Sequence, residues 1–380
     1  MGKITLARTI AEKRHERGIT QEQLAEFIGV TKASVSKWET GQSLPDLALL
    51  PGLAAYFNIS IDELIGFRPD MTREEIRHFY RKTARAFTCR PLEEVMEECR
   101  KTAKEYYSCF PLLFQISSLM VNHCSLCKTP EEQNLILREA KELLTRVRTE
   151  SRDVSLAKQA LSLEAYCLIA LCQPDEALDL LADEPSPYLP SEPLIASAWQ
   201  MKDQPERAVT VLQAGIYQDL LGLLNQMSSY LGLCTNNPEA FRETWRRICM
   251  LADVFQVQQL NPGVFLSICL GCAYGFLAQN DSTSALDALE KYVHCACGNI
   301  YPLQLHGDRY FDRLDNWLDD RLELGAAPPR NHAAIRQDIV NSVTENPAFL
   351  SLKDNPRFCA LNLKLEKFAG FGSHQGGTTT

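Results

Sequence analysis

The chain has 380 residues, 45% of them apolar and 23% charged, with 19 Gly and 19 Pro; this is a globular composition, and it excludes collagen-like, mucin-like and wholly disordered architectures. At roughly 100 to 200 residues per domain, the length requires two domains or an extended repeat array rather than one small module. The net charge of −9 means that any nucleic-acid binding must draw on positive charge gathered in one part of the chain.

The 14 cysteines, none before Cys89, are too few for a disulfide scaffold and fit a reducing, cytoplasmic setting. Residues 1–18 lack the apolar region of a signal peptide. The longest uncharged stretch, between Asp253 and Asp281, holds an apolar run of 15 residues, Val264 to Ala278, where a membrane span needs about 20. Gly271, Ala273 and Gly275 within it read as close-packing positions of a buried helix.

In chain order, Leu6 and Ile10 mark the inner face of a first helix that Gly18 stops. Thr20 caps a second helix, with Gln23 completing a capping box and Leu24, Ala25 and Ile28 facing inward until Gly29. Thr31 caps a third, Lys32 to Glu39, whose Val35 and Trp38 point in while Lys32, Ala33, Ser36 and Lys37 point out. Gly41 and Pro45 separate it from a helix over Asp46–Tyr56 with Leu47, Leu50, Leu53 and Ala54 at helical spacing, and Ser60 caps a last turn through Leu64. Two short helices joined by a Gly-containing turn, the second presenting small polar and basic side chains, suit a DNA major groove.

Thr20-Gln21-Glu22-Gln23-Leu24-Ala25, Gly29-Val30, Val35-Ser36-Lys37-Trp38-Glu39-Thr40-Gly41, Pro45, Leu53-Ala54 and Ile61-Asp62-Glu63-Leu64 resemble the phage-repressor and Cro-like (XRE-type) helix-turn-helix family over about residues 4 to 66. The resemblance implies that Lys32, Ala33, Ser36 and Lys37 read base edges, and that Gln21, Thr31, Ser34 and the backbone at Gly41 meet phosphates. It also implies an Arg14–Glu39 ion pair and a core Trp38 that hold the recognition helix. Thr40 stands where the family more often has Asn. The plainer alternative for Lys32 and Lys37 is a solvated surface. Residues 1–66 carry seven Lys/Arg against eight Asp/Glu, so weak non-specific binding with a steep salt dependence is expected, compensated by a dimer on two half-sites.

Residues 67–90 form a basic helical connector, capped by Thr72 and ended by Pro91, with Arg73, Arg77, Arg81 and Arg85 along one stripe as a solvated face or a contact to flanking phosphate or to an acidic face of the other domain. From residue 91 to 369 the pattern is helix after helix. Pro130, Pro174, Pro205 and Pro238 each open a helix with an acid directly after, and Ala177, Ala208 and Phe241 follow at intervals of 31 and 33 residues, with Ala285 44 further on. The period, helix pairing and small residue at this position resemble degenerate tetratricopeptide (TPR-like) repeats. Residues 370–380 read as a disordered tail.

The fold expected is therefore all-α: an N-terminal five-helix helix-turn-helix domain over 1–66, then the connector and an α-solenoid of TPR-like helix pairs. The combination resembles bacterial regulators that sense small peptides, which implies double-stranded operator DNA, a second copy and a peptide or protein ligand as partners. The alternative is a TPR-like scaffold or antitoxin-like partner in which DNA binding is secondary. Cys124/Cys127 beside His123, Cys269/Cys272, and His294-Cys295-x-Cys297 are read as packing positions before metal or redox ones. Phosphate-binding loops, zinc-protease and nucleophile-elbow motifs do not occur, so neither catalysis nor a cofactor is expected.

Overall fold

The computed structural model describes residues 6–67, 70–182, 184, 190–322, 324–328, 330 and 332–372, and among these every regular element is helical. Compaction divides the chain into one unit of Met1–Thr83 with Arg90–Asp183 and another of Ala84–Cys89 with Glu184–Thr380.

The first unit opens with α1 (Leu6–Glu16), α2 (Gln21–Ile28), α3 (Lys32–Glu39), α4 (Leu50–Phe57) and α5 (Ile61–Ile65). Leu6, Ile10, Leu24, Val35, Trp38, Leu53, Phe57 and Leu64 close a core of their own beneath them. The cap signals act where the sequence places them: Thr20 and Gln23 form a reciprocal capping box, Thr31 and Ser60 each accept an N–H from the third helical residue, and Gly29 ends α2 in the left-handed conformation at φ 78°. The fourth helix differs from expectation. Leu47–Leu49 wind as a 3-10 turn and α4 begins only at Leu50, with Pro51 in its first turn, where a missing N–H is harmless; Leu47 consequently faces solvent.

Six further helices follow: α6 (Arg73–Ala86), which belongs to this unit as far as Thr83, then α7 (Leu92–Glu105), α8 (Phe110–His123), α9 (Pro130–Glu150), α10 (Val154–Ala170) and α11 (Pro174–Leu181), with α8 to α11 packing successively. Of the expected arginine stripe on α6, Arg81 and Arg85 are exposed but Arg73 and Arg77 are half-buried, so it is not uniformly solvated. Cys124 does not lie within a helical run as its neighbours suggest; it is buried in a 3-10 turn that Cys127 terminates.

The second unit contains α12 (Glu192–Met201), α13 (Pro205–Leu233), α14 (Pro238–Val254), α15 (Val257–Leu260), α16 (Pro262–Ala278), α17 (Ser282–Ala296), α18 (Leu314–Arg321), α19 (His332–Thr344) and α20 (Pro356–Gly372). All four proline-first starts are realised. Ala177, Ala208, Phe241 and Ala285 are each the fourth residue of a helix and each is buried, which gives the repeat phase a physical meaning. Pairing fails in one place: Pro205 to Leu233 is one unbroken 29-residue helix, because the stretch holds Gly215, Gly222 and Gly232 but no internal proline, and a lone glycine weakens a helix by only about 1 kcal/mol. α16 is apolar on every side and central to the larger core. Its Ala273 and Gly275 are close-packed as expected, whereas Gly271 is exposed with open space around it. α20 extends to Gly372; the remainder of the expected tail, 373–380, lies outside the described residues.

Candidate nucleic-acid interface

The geometry of the first three helices is fixed by one buried cluster. Arg14 of α1 donates to Glu39 of α3 through Nε (2.6 Å to Oε1) and Nη2 (3.0 Å to Oε2), and its Nη1 donates to the Ile19 carbonyl at 2.8 Å. The two side chains are only 10% and 8% exposed. Gln21, opening α2, donates its amide N–H to Glu39 Oε2 at 2.8 Å, so a single carboxylate ties α1, α2 and α3 together. Burial alone pushes the Glu39 carboxyl up, but the hydrogen bonds from Arg14 and Gln21 and the Arg14 charge outweigh it and hold the group below the usual carboxylate range.

With α3 locked in this way, Val35 and Trp38 are buried, while Lys32, Ala33 and Lys37 are exposed and Ser36 is half-buried on the opposite side. This is one contiguous outer face; its donors are a pair of ammonium groups and a hydroxyl, and the Ala33 methyl adds an apolar contact. Lys32 has an acid beside it: α2 brings Glu22 Oε2 to 3.6 Å from its Nζ. Both partners are well exposed, so the pair is readily exchanged for a stronger anion.

The expected phosphate contacts divide. Gln21 uses one amide N–H on Glu39 and keeps a second. Thr31 caps Ser34 N–H at 3.2 Å and its hydroxyl lies 2.9 Å from the Ser34 hydroxyl; one O–H of that couple satisfies the other, leaving one proton to donate outward. The backbone N–H of Gly41 donates to the Trp38 carbonyl at 3.1 Å, so Gly41 serves as the left-handed exit from α3 at φ 72° rather than as a free donor. Thr40 folds its hydroxyl back onto the Ser36 and Lys37 carbonyls at 2.9 and 3.2 Å.

Sequence reading found the Arg14–Glu39 pair but missed Gln21 as its third member and Glu22 as the neighbour of Lys32. Among the described residues no group of three or more His, Cys, Asp or Glu is placed to hold a metal ion, and no helix is long and apolar enough to cross a membrane. The buried thiols, including Cys99, Cys167 and Cys295, are pushed up to about 12 by desolvation, which makes them poor nucleophiles.

A family model described as "Helix-turn-helix" matches residues 10–64. Over 56 residues the chain is 38% identical to the HTH-type transcriptional activator BcrR of Enterococcus faecalis, covering 15% of this chain and 28% of BcrR. Over 77 residues it is 31% identical to the uncharacterized HTH-type transcriptional regulator YobD of Bacillus subtilis, covering 19% of this chain and 69% of YobD. The chain thus spans little more than a quarter of BcrR and about two thirds of YobD. The structure of Bacillus thuringiensis PlcR in complex with the peptide PapR7 and DNA aligns over 77% of this chain and 94% of that one, at 15% identity and a TM-score of 0.31, too loose a superposition to bear on function.

Proposed function

The chain belongs to the helix-turn-helix family of transcriptional regulators, and from that premise we propose that it is a cytoplasmic, sequence-specific DNA-binding regulator that grips a short palindromic operator as a homodimer. Residues 1–66 form the DNA-binding domain, 67–90 the connector and 91–369 a helical-repeat domain that dimerises, senses a peptide or protein ligand, or does both. The observation that carries this reading is the exposed face of α3, Lys32, Ala33, Ser36 and Lys37, presented on a helix that Arg14, Glu39 and Gln21 immobilise. A rigid helix with donors of this kind is what base readout in the major groove requires.

In this reading the lysines donate to guanine O6 and N7, Ala33 meets a thymine methyl and Ser36 pairs with either kind of edge. Gln21, through its second amide N–H, and the Thr31–Ser34 couple contact phosphates at the N-termini of α2 and α3, where the helix dipoles also favour an anion.

The test is selection of the full-length protein against randomised duplex DNA, with enrichment of an inverted repeat whose half-sites lie about one turn (~10 bp) apart. On the selected operator, replacing Lys32, Ser36 or Lys37 by alanine is expected to relax base preference by about 1–3 kcal/mol at one position each, whereas Gln21→Ala weakens all sequences alike. Equal losses on every sequence from all four variants would remove the assigned reading face.

A further inference from the structure

The helix α13 carries a surface that neither the DNA-reading face nor the core of its unit accounts for. Its 29 residues extend about 43 Å at 1.5 Å per residue. Between Ala208 and Leu233 Asp219 is its one charged residue, a depletion characteristic of the centre of an interface rather than of a solvated helix. Tyr217, Leu220, Leu224 and Leu231 bury one side of it. Along a second line, Val209, Ile216, Leu223 and Tyr230 recur at every seventh residue and remain 43%, 38%, 44% and 52% exposed. Leu212, Asp219, Gln226 and Leu233 interleave with them at the same period, and Leu233 is 84% exposed. Alternating steps of three and four residues over the whole helix are the spacing by which one helix packs lengthwise along another.

We propose that this line is the seam on which a second copy of the chain docks, antiparallel, about a two-fold axis level with Leu221. The proposal rests on the homodimer reading above and supplies its contact. Charge decides the direction. A parallel pair would set Asp219 against Asp219 of its partner at one layer, two like charges in a desolvated seam. The antiparallel register instead stacks Val209 on the partner's Leu233, Leu212 on the partner's Tyr230, Ile216 on the partner's Gln226 and Asp219 on the partner's Leu223. Gln226 of one copy then lies three residues from Asp219 of the other, about 4.5 Å along the axis, where its amide can donate to the carboxylate. The seam is therefore apolar at both ends and carries two mutual Gln–Asp hydrogen bonds at its middle, as a self-complementary two-fold contact requires.

Sedimentation velocity of the full chain without DNA tests this. Leu223→Lys and Leu233→Lys replace exposed side chains, so the fold is retained, and each is expected to raise the dimer dissociation constant by roughly tenfold or more. Gln226→Lys reads the direction: antiparallel, it sets a cation beside the partner's Asp219 and tightens the dimer several-fold; parallel, it would set two introduced lysines face to face and weaken it. Weakening by Gln226→Lys overturns the antiparallel register. A wild-type dimer indifferent to all three substitutions overturns the seam while leaving the dimer reading intact, and a wild type monomeric both free and on operator DNA overturns both.

Discussion

Glu39→Ala is expected to destabilise the helix-turn-helix by about 3–5 kcal/mol, the usual penalty for stranding one member of a buried ion pair, and to abolish operator binding without touching any base-reading side chain. Removing the carboxylate leaves the Arg14 guanidinium buried with only the Ile19 carbonyl and His15 near it, releases the Gln21 amide, and removes the polar tie between α3 and the two preceding helices, leaving their apolar core to hold it. Native-state hydrogen exchange of the amides of α1, α2 and α3 in the full chain reads the local loss; unchanged protection would mean that the core around Trp38 alone holds the recognition helix. The same carboxylate supplies a pH signature. Its folded-state pKa is depressed, so its stabilisation is complete above the unfolded value of about 4.3 and fades as the pH falls through the lower folded value. Glu39→Gln should therefore flatten the acid limb of α1–α3 protection relative to wild type. Replacing Arg14 and Glu39 together by leucine should restore much of the stability, since an apolar pair needs no desolvation of charge, yet leave Gln21 without its acceptor and DNA affinity still reduced.

That cluster also shows how far the sequence was legible. Caps and glycines act through the backbone of their own few residues, so Thr20, Gly29, Thr31 and Ser60 could be placed from spacing alone, and the Arg14–Glu39 pair came with the family resemblance. What spacing does not encode is competition for a donor. Gln21 is chemically able to serve a phosphate or a carboxylate, and only the fold, by bringing Glu39 to 2.8 Å, shows that one N–H is already engaged. Lys32 and Glu22 are ten residues apart and meet because the turn at Gly29 sets α2 and α3 side by side. The repeat arithmetic had the converse difficulty: it set Ala208 and Phe241 in one phase, and the fold buries both, but it implied a turn between them. Nothing in the residues from Pro205 to Leu233 caps or breaks a helix, and the backbone continues through.

The second large effect is expected far from DNA, where α14 crosses α16. Phe241 is buried to 1% exposure, meets the Phe276 ring edge-on at 4.9 Å, and lies against Gly275 so closely that an added β-carbon there would come within 2.2 Å of its Cζ and 2.4 Å of its Cε2. Phe241→Ala should lower the stability of this unit by about 3–5 kcal/mol, through lost burial and the cavity left between the helices. Gly275→Ala would gain up to about 1 kcal/mol of helix propensity on an isolated helix, but here it should be net destabilising, because the ring it meets is rigid, fully buried and already packed edge-on against Phe276, and overpacking of this kind costs about 1–3 kcal/mol. The two losses should not add. Once the ring is gone the new methyl enters the vacated space, so the double variant is expected to be more stable than the sum of the singles by about 0.5–3 kcal/mol. Hydrogen exchange at α14 and α16 resolves this locally, which matters in a chain of two compact units that need not unfold together. Strict additivity would mean that α14 slides to accommodate the methyl, and the contact that sets the helix crossing would then have to lie elsewhere along α16.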